Sequence, residues 1–122
     1  MREKTLKEVC EEIGVTRRAV QGYEQAGMIQ ASGKNKYGYL LYDETTVEVI
    51  RKIKQHQEFG FSLKEIQALM GAPKEVYIEC LTKQLMKLKQ EKETLIRNIA
   101  ELERIIWYKE KDNNDEPIID CT

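Results

Sequence analysis

The chain has 122 residues, of which 34% are charged and 41% hydrophobic, and its formal net charge is -1. This length fits one modest domain with an extension rather than two full domains. No stretch approaches the roughly 18 apolar residues of a membrane span, and the N-terminus lacks the apolar core of a secretory signal. We therefore expect a largely helical, cytoplasmic protein without a membrane partner.

Few residues are of the types that build catalytic or metal centres. The three cysteines, Cys10, Cys80 and Cys121, are an odd number without CxxC spacing, which argues against a disulfide framework and a zinc ribbon. His56 is the only histidine, so a catalytic triad or histidine metal cluster is not expected. The sequence also lacks a nucleophile–base pair and a phosphate loop. We predict that the chain is not an enzyme and carries no cofactor.

Residues 5–24 predict two short helices joined by a tight turn. Thr5 and Glu8 have the spacing of a capping box. Apolar residues follow at helical spacing, at Leu6, Val9, Cys10 and Ile13. Gly14 can adopt the left-handed conformation that ends a helix, and Thr16 is a good N-cap for the next one. This pattern indicates a helix-turn-helix, and the alternative is a helical hairpin in an unrelated bundle.

The second of these helices begins with Arg17 and Arg18. In helix-turn-helix proteins the N-terminal residues of this helix lie nearest the bases in the major groove. Between residues 14 and 40 the chain carries four basic side chains and one acidic one. Such a local basic footprint can bind phosphates on an otherwise neutral protein, although randomly scattered surface charge would look the same.

The segment that follows predicts a β-hairpin with a basic tip. Residues 31–38 are rich in turn residues and include Lys34 and Lys36. Residues 39–42 favour a strand, and residues 28–31 are its expected partner. Beside a helix-turn-helix, this hairpin would be a wing that reaches the DNA backbone or minor groove. A solvated surface loop is the alternative.

Two further short helices complete the predicted domain. Asp43 caps the third, and its inward positions are Val47, Ile50 and Ile53. Ser62 and Glu65 form a second capping box, and the fourth helix closes at Gly71.

The run of residues 5–70 resembles the DNA-binding domain of the MerR family of bacterial transcription regulators. The matching pieces are residues 14–16, 23–29, 38–42 and 60–66. The resemblance implies a mainly α, winged helix-turn-helix domain over residues 1–71, with four short helices and a hairpin wing. It also implies a homodimer that binds a pseudo-palindromic promoter site and distorts the DNA so that RNA polymerase can engage it.

Two positions depart from the family pattern. Members usually have Arg-Tyr-Tyr where this chain has Gln21-Gly22-Tyr23, and arginine where it has Leu40. Because those arginines hold phosphates in the family, we expect the remaining basic and aromatic residues to do so. The predicted DNA-contacting residues are Thr16, Arg17, Arg18, Gln21, Tyr23, Lys34, Lys36 and Tyr39.

Residues 72–111 predict one long coiled-coil dimerisation helix. In heptad notation, a is Ile78, Leu85, Lys92, Ile99 and Ile106, and d is Leu81, Leu88, Leu95 and Leu102. Eight of these nine positions are apolar. A helix about 55 Å long cannot bury such a stripe on a small domain, so a partner chain is expected.

The direction of helix pairing is less constrained by the pattern. Ile at a with Leu at d suits a parallel pair, but the pairs at e and g do not support it, since Glu91 would face Ile96. The resemblance implies an antiparallel pair, in which each long helix leans on the other protomer's DNA-binding domain. We favour the antiparallel homodimer.

Residues 112–122 are acidic and predict a flexible tail, without the effector domain that the family usually has. The thiols of Cys80 and the partner's Cys121 are candidates for a two-thiolate site that would hold a soft metal ion. Packing is the favoured role for Cys80, so no metal site is predicted. An alternative to a purely flexible tail is that residues 117–119 form a short motif that docks on a protein partner.

We predict a sequence-specific transcriptional regulator that is nucleoid-associated when bound. The alternatives are an architectural, excisionase-like DNA-binding protein and a coiled-coil protein-interaction module.

Overall fold

The computed structural model describes residues 3–112, within which there are five helices and three short strands. The helices are α1 (Leu6–Ile13), α2 (Arg17–Gln25), α3 (Glu44–Glu58), α4 (Leu63–Met70) and α5 (Lys74–Lys111). The strands are β1 (Lys4–Thr5), β2 (Gly33–Lys34) and β3 (Leu40–Tyr42). The chain divides into two compact units, Met1–Glu79 and Cys80–Thr122, and the boundary falls within α5.

The predicted helix caps are confirmed. Thr5 Oγ1 accepts a hydrogen bond from the Glu8 amide at 3.3 Å, and Glu8 Oε1 accepts one from the Thr5 amide at 3.0 Å. Gly14 ends α1 at φ +80°, in the left-handed region. Ser62 caps α4 with the same reciprocal pair of bonds as Thr5, whereas Asp43 caps α3 through its carboxylate alone. Each of these N-caps satisfies a helix amide that would otherwise lack a partner.

The strands form one antiparallel sheet in the order β1-β3-β2. Gly33 pairs with Leu41, so the strand partner of β3 is β2 and not residues 28–31, as the sequence suggested. The reason is the tight turn, in which the Asn35 amide donates to the Tyr39 carbonyl at 2.9 Å, so that the residues just before Asn35 lie opposite β3. The pairing of β1 with β3, with Lys4 opposite Tyr42, was not predicted.

One hydrophobic core holds the first unit together. Its buried residues are Val9, Val20, Tyr23, Ile29, Tyr42, Val47, Ile50, Ile53 and Ile66. They come from all four short helices, from β3 and from the segment after α2. The predicted inward face of α3 is thus confirmed. This core positions α2 and the hairpin against the same scaffold.

The end of α3 and the start of α5 are joined by the only histidine of the chain. His56 Nδ1 lies 2.7 Å from the Lys52 carbonyl, and its Nε2 lies 2.7 Å from the Tyr77 hydroxyl. Phe59 and Phe61 flank the ring, with centroids 5.6 and 6.2 Å away. His56 therefore has a structural role in the first unit.

The second unit consists, in its described part, of the remainder of α5. Of the described residues of this helix, none is buried in the single chain. The Leu and Ile residues at a and d from Leu85 onward remain 40–61% exposed. A stripe of this kind exposes apolar area that a partner would remove from water.

Candidate nucleic-acid interface

The N-terminal part of α2 presents polar side chains on one face and apolar side chains on the other. Thr16 Oγ1 accepts a hydrogen bond from the Ala19 amide at 3.0 Å and so caps the helix. Arg17, Arg18 and Gln21 are exposed. The opposite face buries Val20 and Tyr23 in the core. The helix thus presents two cations and an amide to solvent.

Tyr23 lies on the buried face, against the prediction that it contacts DNA. Its side chain is 2% exposed, and its hydroxyl donates a 2.7 Å hydrogen bond to Gln57 Oε1 on α3. Burial raises the pKa of the phenol. A ring enclosed by the core cannot reach a phosphate, so we assign Tyr23 to the support of α2.

Two further hydrogen bonds fix the position of α2. The buried Tyr42 hydroxyl of β3 donates to the Glu24 carboxylate. Gln67 Nε2 of α4 donates to the Ala26 carbonyl at 2.8 Å, immediately after the last residue of the helix. Together with the bond from Tyr23, these contacts hold α2 from three different elements. A helix fixed in this way presents its exposed side chains with little freedom.

Lys54 of α3 stabilises the turn between α1 and α2. Its Nζ donates to the Gly14 carbonyl at 2.8 Å and to the Ile13 carbonyl at 3.2 Å. A cation is favourable at a helix C-terminus, where carbonyl groups lack intrahelical partners. Glu58 lies 3.6 Å away and forms an ion pair with the same ammonium. This contact was not predicted, because only the tertiary fold brings α3 to the turn.

The tip of the wing is a defined turn built on Asn35. Its Oδ1 accepts hydrogen bonds from the backbone amides of Tyr37 and Tyr39, at 2.9 and 3.0 Å. The Asn35 amide also donates to the Tyr39 carbonyl at 2.9 Å. Gly38, at φ +82°, closes the turn. An asparagine side chain that bonds to nearby amides is a common way to shape a tight turn.

Four basic or aromatic side chains of the wing are exposed to solvent: Lys34, Lys36, Tyr37 and Tyr39. Three of them belong to the predicted contact set. Tyr37 was missed, although its place beside Lys36 in a turn-rich segment is a signal that could have indicated it. Leu40, which stands where the family usually has arginine, is half-buried against the core.

The helix-turn-helix and the wing meet at a common groove. It is lined by Thr5, Leu6, Lys7, Arg17, Gly38, Tyr39 and Leu40. Two predicted contact residues, Arg17 of α2 and Tyr39 of the wing, are thus brought to one site although 22 positions separate them in the chain. Arg18 and Gln21 lie on the exposed face of α2, and Lys34 and Lys36 on the hairpin.

Apart from Ile78, the residues predicted for dimerisation and metal binding belong to the second unit. Seam residue Lys92 is exposed, like its apolar neighbours. Cys80 is half-buried, whereas Cys121 and residues 117–119 lie outside the described part of the chain. Within residues 3–112, no group of three or more His, Cys, Asp or Glu is placed to hold a metal ion. No helix in that range is both long and apolar enough to cross a membrane.

The comparison with known proteins gives a consistent result. Residues 4–72 match the family described as MerR HTH family regulatory protein. The chain is 27% identical over 118 residues to the mercuric resistance operon regulatory protein of Bacillus cereus, covering 93% of this chain and 89% of that protein.

Two solved structures share the fold. One is a MerR-family transcriptional regulator from Bacillus cereus, with a TM-score of 0.77 and 22% identity, covering 94% of this chain and 88% of that one. The other is HiNmlR, a MerR family regulator lacking the sensor domain, bound to promoter DNA. Its TM-score is 0.73 at 20% identity, with 90% of this chain and 88% of that chain covered.

The predicted winged helix-turn-helix fold is confirmed by these structures. The prediction that the chain is not an enzyme is confirmed as well, because its relatives are transcriptional regulators. The matched residues span more than half of the chain and include the helix-turn-helix, the wing and α4. The chain therefore belongs to the MerR HTH family of transcriptional regulators.

Proposed function

We propose that this regulator binds duplex promoter DNA sequence-specifically, as a homodimer. The observation that carries the proposal is the groove in which Arg17 of α2 meets Tyr39 of the wing, beside the exposed Arg18. A cationic helix N-terminus next to a hairpin with basic side chains fits a phosphate backbone and the adjacent major groove. HiNmlR, which has the same fold, is bound to promoter DNA.

Within this proposal the contact residues have distinct roles. Arg18 and Gln21 lie on the exposed face of α2, from which side chains reach base edges in the major groove. Arg17 and the wing lysines Lys34 and Lys36 supply charge for phosphates, which sets position and affinity rather than sequence. The hydrogen-bonded support of α2 favours specificity, because a fixed helix loses little freedom on binding.

The homodimer is supported by the stripe on α5. Burying each of its Leu and Ile side chains contributes about 1.5–3 kcal/mol, which is enough for tight association. We propose antiparallel pairing through Ile78, Leu81, Leu85, Leu88, Lys92, Leu95, Ile99, Leu102 and Ile106. Lys92, in the middle of this seam, would fix the register or extend its ammonium to solvent.

The dimer would place two α2 helices in successive major grooves of a pseudo-palindromic site. By the mechanism typical of the family, it would bend and untwist a promoter so that RNA polymerase can engage it. A protein with this function would be located in the cytoplasm and would associate with the nucleoid when bound to DNA.

Selection of fragments from the source genome with the purified chain, followed by sequencing, tests this function. We expect enrichment of one inverted repeat lying between promoter elements. Broad enrichment of bendable DNA would instead support an architectural, excisionase-like protein. Failure to retain any DNA at low salt would support a coiled-coil protein-interaction module.

Arg17→Ala and Arg18→Ala should each weaken binding to a selected fragment, by roughly 5- to 100-fold. The reason is that each removes a cation from the exposed start of α2 without touching the core. The matched control is Arg97→Ala on α5, which removes an arginine outside the predicted interface. Fluorescence anisotropy gives the affinities, and sedimentation checks that the dimer remains intact.

The salt dependence of binding provides an independent readout. The three phosphate-binding cations of each protomer, Arg17, Lys34 and Lys36, allow up to six phosphate contacts, so log K should fall with log salt with a slope as steep as about −5. A slope near zero would contradict the electrostatic part of the proposal.

A further inference from the structure

The tip of the wing carries a compact group of exposed side chains that extends beyond the predicted contacts. Tyr37 is 70% exposed and Tyr39 63%. Their ring centroids lie 6.4 Å apart, and the Lys36 ammonium lies 5.1 Å from the centroid of the Tyr37 ring. Large apolar side chains that remain grouped and exposed mark surfaces that meet a partner.

The backbone beneath these rings is preorganised. Asn35 accepts hydrogen bonds from the amides of both tyrosines, so the rings project from a defined turn. The cation held over the Tyr37 ring further restricts both side chains. A group that is ordered before binding loses less conformational entropy when it meets its ligand.

The chemistry of this group fits the backbone of duplex DNA. An ammonium pairs with phosphate, and the ring of a phenol offers an apolar face to a deoxyribose. The groove lined by Arg17 and Tyr39 connects the tip to the start of α2. DNA held by Arg17 would therefore lie within reach of the wing.

We propose that Tyr37 is a DNA-contacting residue, whose ring packs against deoxyribose while Lys36 meets a neighbouring phosphate. The inference rests on the proposed DNA binding and adds a contact that depends on apolar packing. Since Tyr37 carries no charge, it strengthens binding without releasing counterions from the DNA. Tyr37 and Lys36 thus contribute separately to the affinity and to its salt dependence.

Anisotropy titrations of the full chain with a mixed-sequence duplex, over a range of salt concentrations, test this proposal. Such a probe is suitable because backbone contacts do not depend on sequence. Tyr37→Ala should weaken binding at least about fivefold at every salt concentration, with little change in slope, because the buried apolar surface of the ring is lost. Tyr37→Phe keeps the ring and should bind within about twofold of the wild type. Lys36→Ala should flatten the slope by about 1 for each bound wing.

The matched controls are Tyr108→Ala and Lys87→Ala, which remove an exposed tyrosine and lysine from α5 at positions outside the seam. Both should bind like the wild type. The inference is overturned if Tyr37→Ala binds like these controls, or if Tyr37→Phe is as weak as Tyr37→Ala. If the wild type itself does not bind duplex DNA at low salt, the proposed function fails, whereas loss in Arg17→Ala without loss in Tyr37→Ala overturns the inference alone.

Discussion

Tyr42 connects the sheet to α2 through a single buried side chain. It is 0% exposed, and its hydroxyl donates to the Glu24 carboxylate. Burial, with the adjacent Glu24 carboxylate as the next cause, raises the pKa of this phenol above its ordinary value of 10.0. The folded protein therefore retains a proton at alkaline pH that the unfolded chain releases.

This shift predicts an alkaline loss of stability. The contribution of Tyr42 should be fully present below about pH 10, where the phenol is protonated in both states. As pH rises above that value, only the unfolded state loses the proton, so the free energy of unfolding should fall. Urea unfolding from about pH 8 to about pH 11 measures the fall.

Tyr42→Phe should be less stable at neutral pH by about 1 kcal/mol, because Glu24 loses its donor. Its stability should also decline less steeply above about pH 10. Tyr37→Phe is the control, since it removes an exposed hydroxyl and should remain close to the wild type. If Tyr42→Phe and the wild type declined equally, another group would be responsible for the alkaline loss.

Tyrosines also show where residue-level prediction from sequence ends. Tyr23 and Tyr37 are chemically identical, yet one supports the core and the other is exposed at the wing. A phenol suits both places, because its body is apolar and its tip is polar. The resemblance counted Tyr23 as a DNA contact, but its side chain is 2% exposed and its hydroxyl bonds to Gln57 of α3.

At the scale of elements, features that depend on neighbouring residues were predicted from the sequence, and features that depend on residues far apart in the chain were not. The caps at Thr5, Asp43 and Ser62 were predicted because each depends on residues within one helical turn. The sheet was only partly predicted. Its outer strands are two residues long, which is too short to show alternation, and β1 pairs with a strand far along the chain.

The two glycines of the helix-turn-helix should respond oppositely to alanine. Gly22 lies inside α2, and a Cβ there would meet no atom within 4 Å. Gly22→Ala should therefore stabilise the protein by up to about 1 kcal/mol. Gly14 has φ +80°, and a Cβ there would lie 3.2 Å from Lys54 Nζ. Gly14→Ala should destabilise it by about 1 kcal/mol or more.

Urea unfolding of both variants at neutral pH measures the two effects. Gly71→Ala is a useful reference, because Gly71 follows α4 and its Cβ would also be in open space. Equal losses of stability at Gly14 and Gly22 would contradict this assignment. A Gly22→Ala protein that is more stable but binds DNA less well would indicate that the lack of a side chain at position 22 leaves room for DNA to approach α2.

At the scale of the whole molecule, periodicity predicted the long helix but not the direction of its pairing. α5 ends at Lys111, as the heptads indicated, and begins one residue after Pro73. A repeat of seven residues specifies which side chains share a seam. Parallel and antiparallel pairs bury the same seam, so the heptads alone do not distinguish them.

Cysteine cross-linking distinguishes the two directions. In the antiparallel dimer that we expect, a register that pairs all four d residues with a residues sets Ile78 of one helix beside Leu102 of its partner. The two Ile78 residues are then about 35 Å apart, at 1.5 Å rise per residue. In a parallel dimer the two Ile78 side chains face each other. Since a disulfide cannot bridge Cα atoms more than about 7 Å apart, each arrangement permits only one of these links.

The test uses a chain whose native cysteines are replaced by serine. Ile78→Cys alone should then give no disulfide-linked dimer on mild oxidation, whereas a mixture of Ile78→Cys and Leu102→Cys chains should give one. Thr94→Cys, at a position outside the seam, controls for random collision. Non-reducing electrophoresis provides the measurement. Efficient linkage of Ile78→Cys to itself would establish a parallel dimer, because only that direction brings the N-terminal ends of the two seams together.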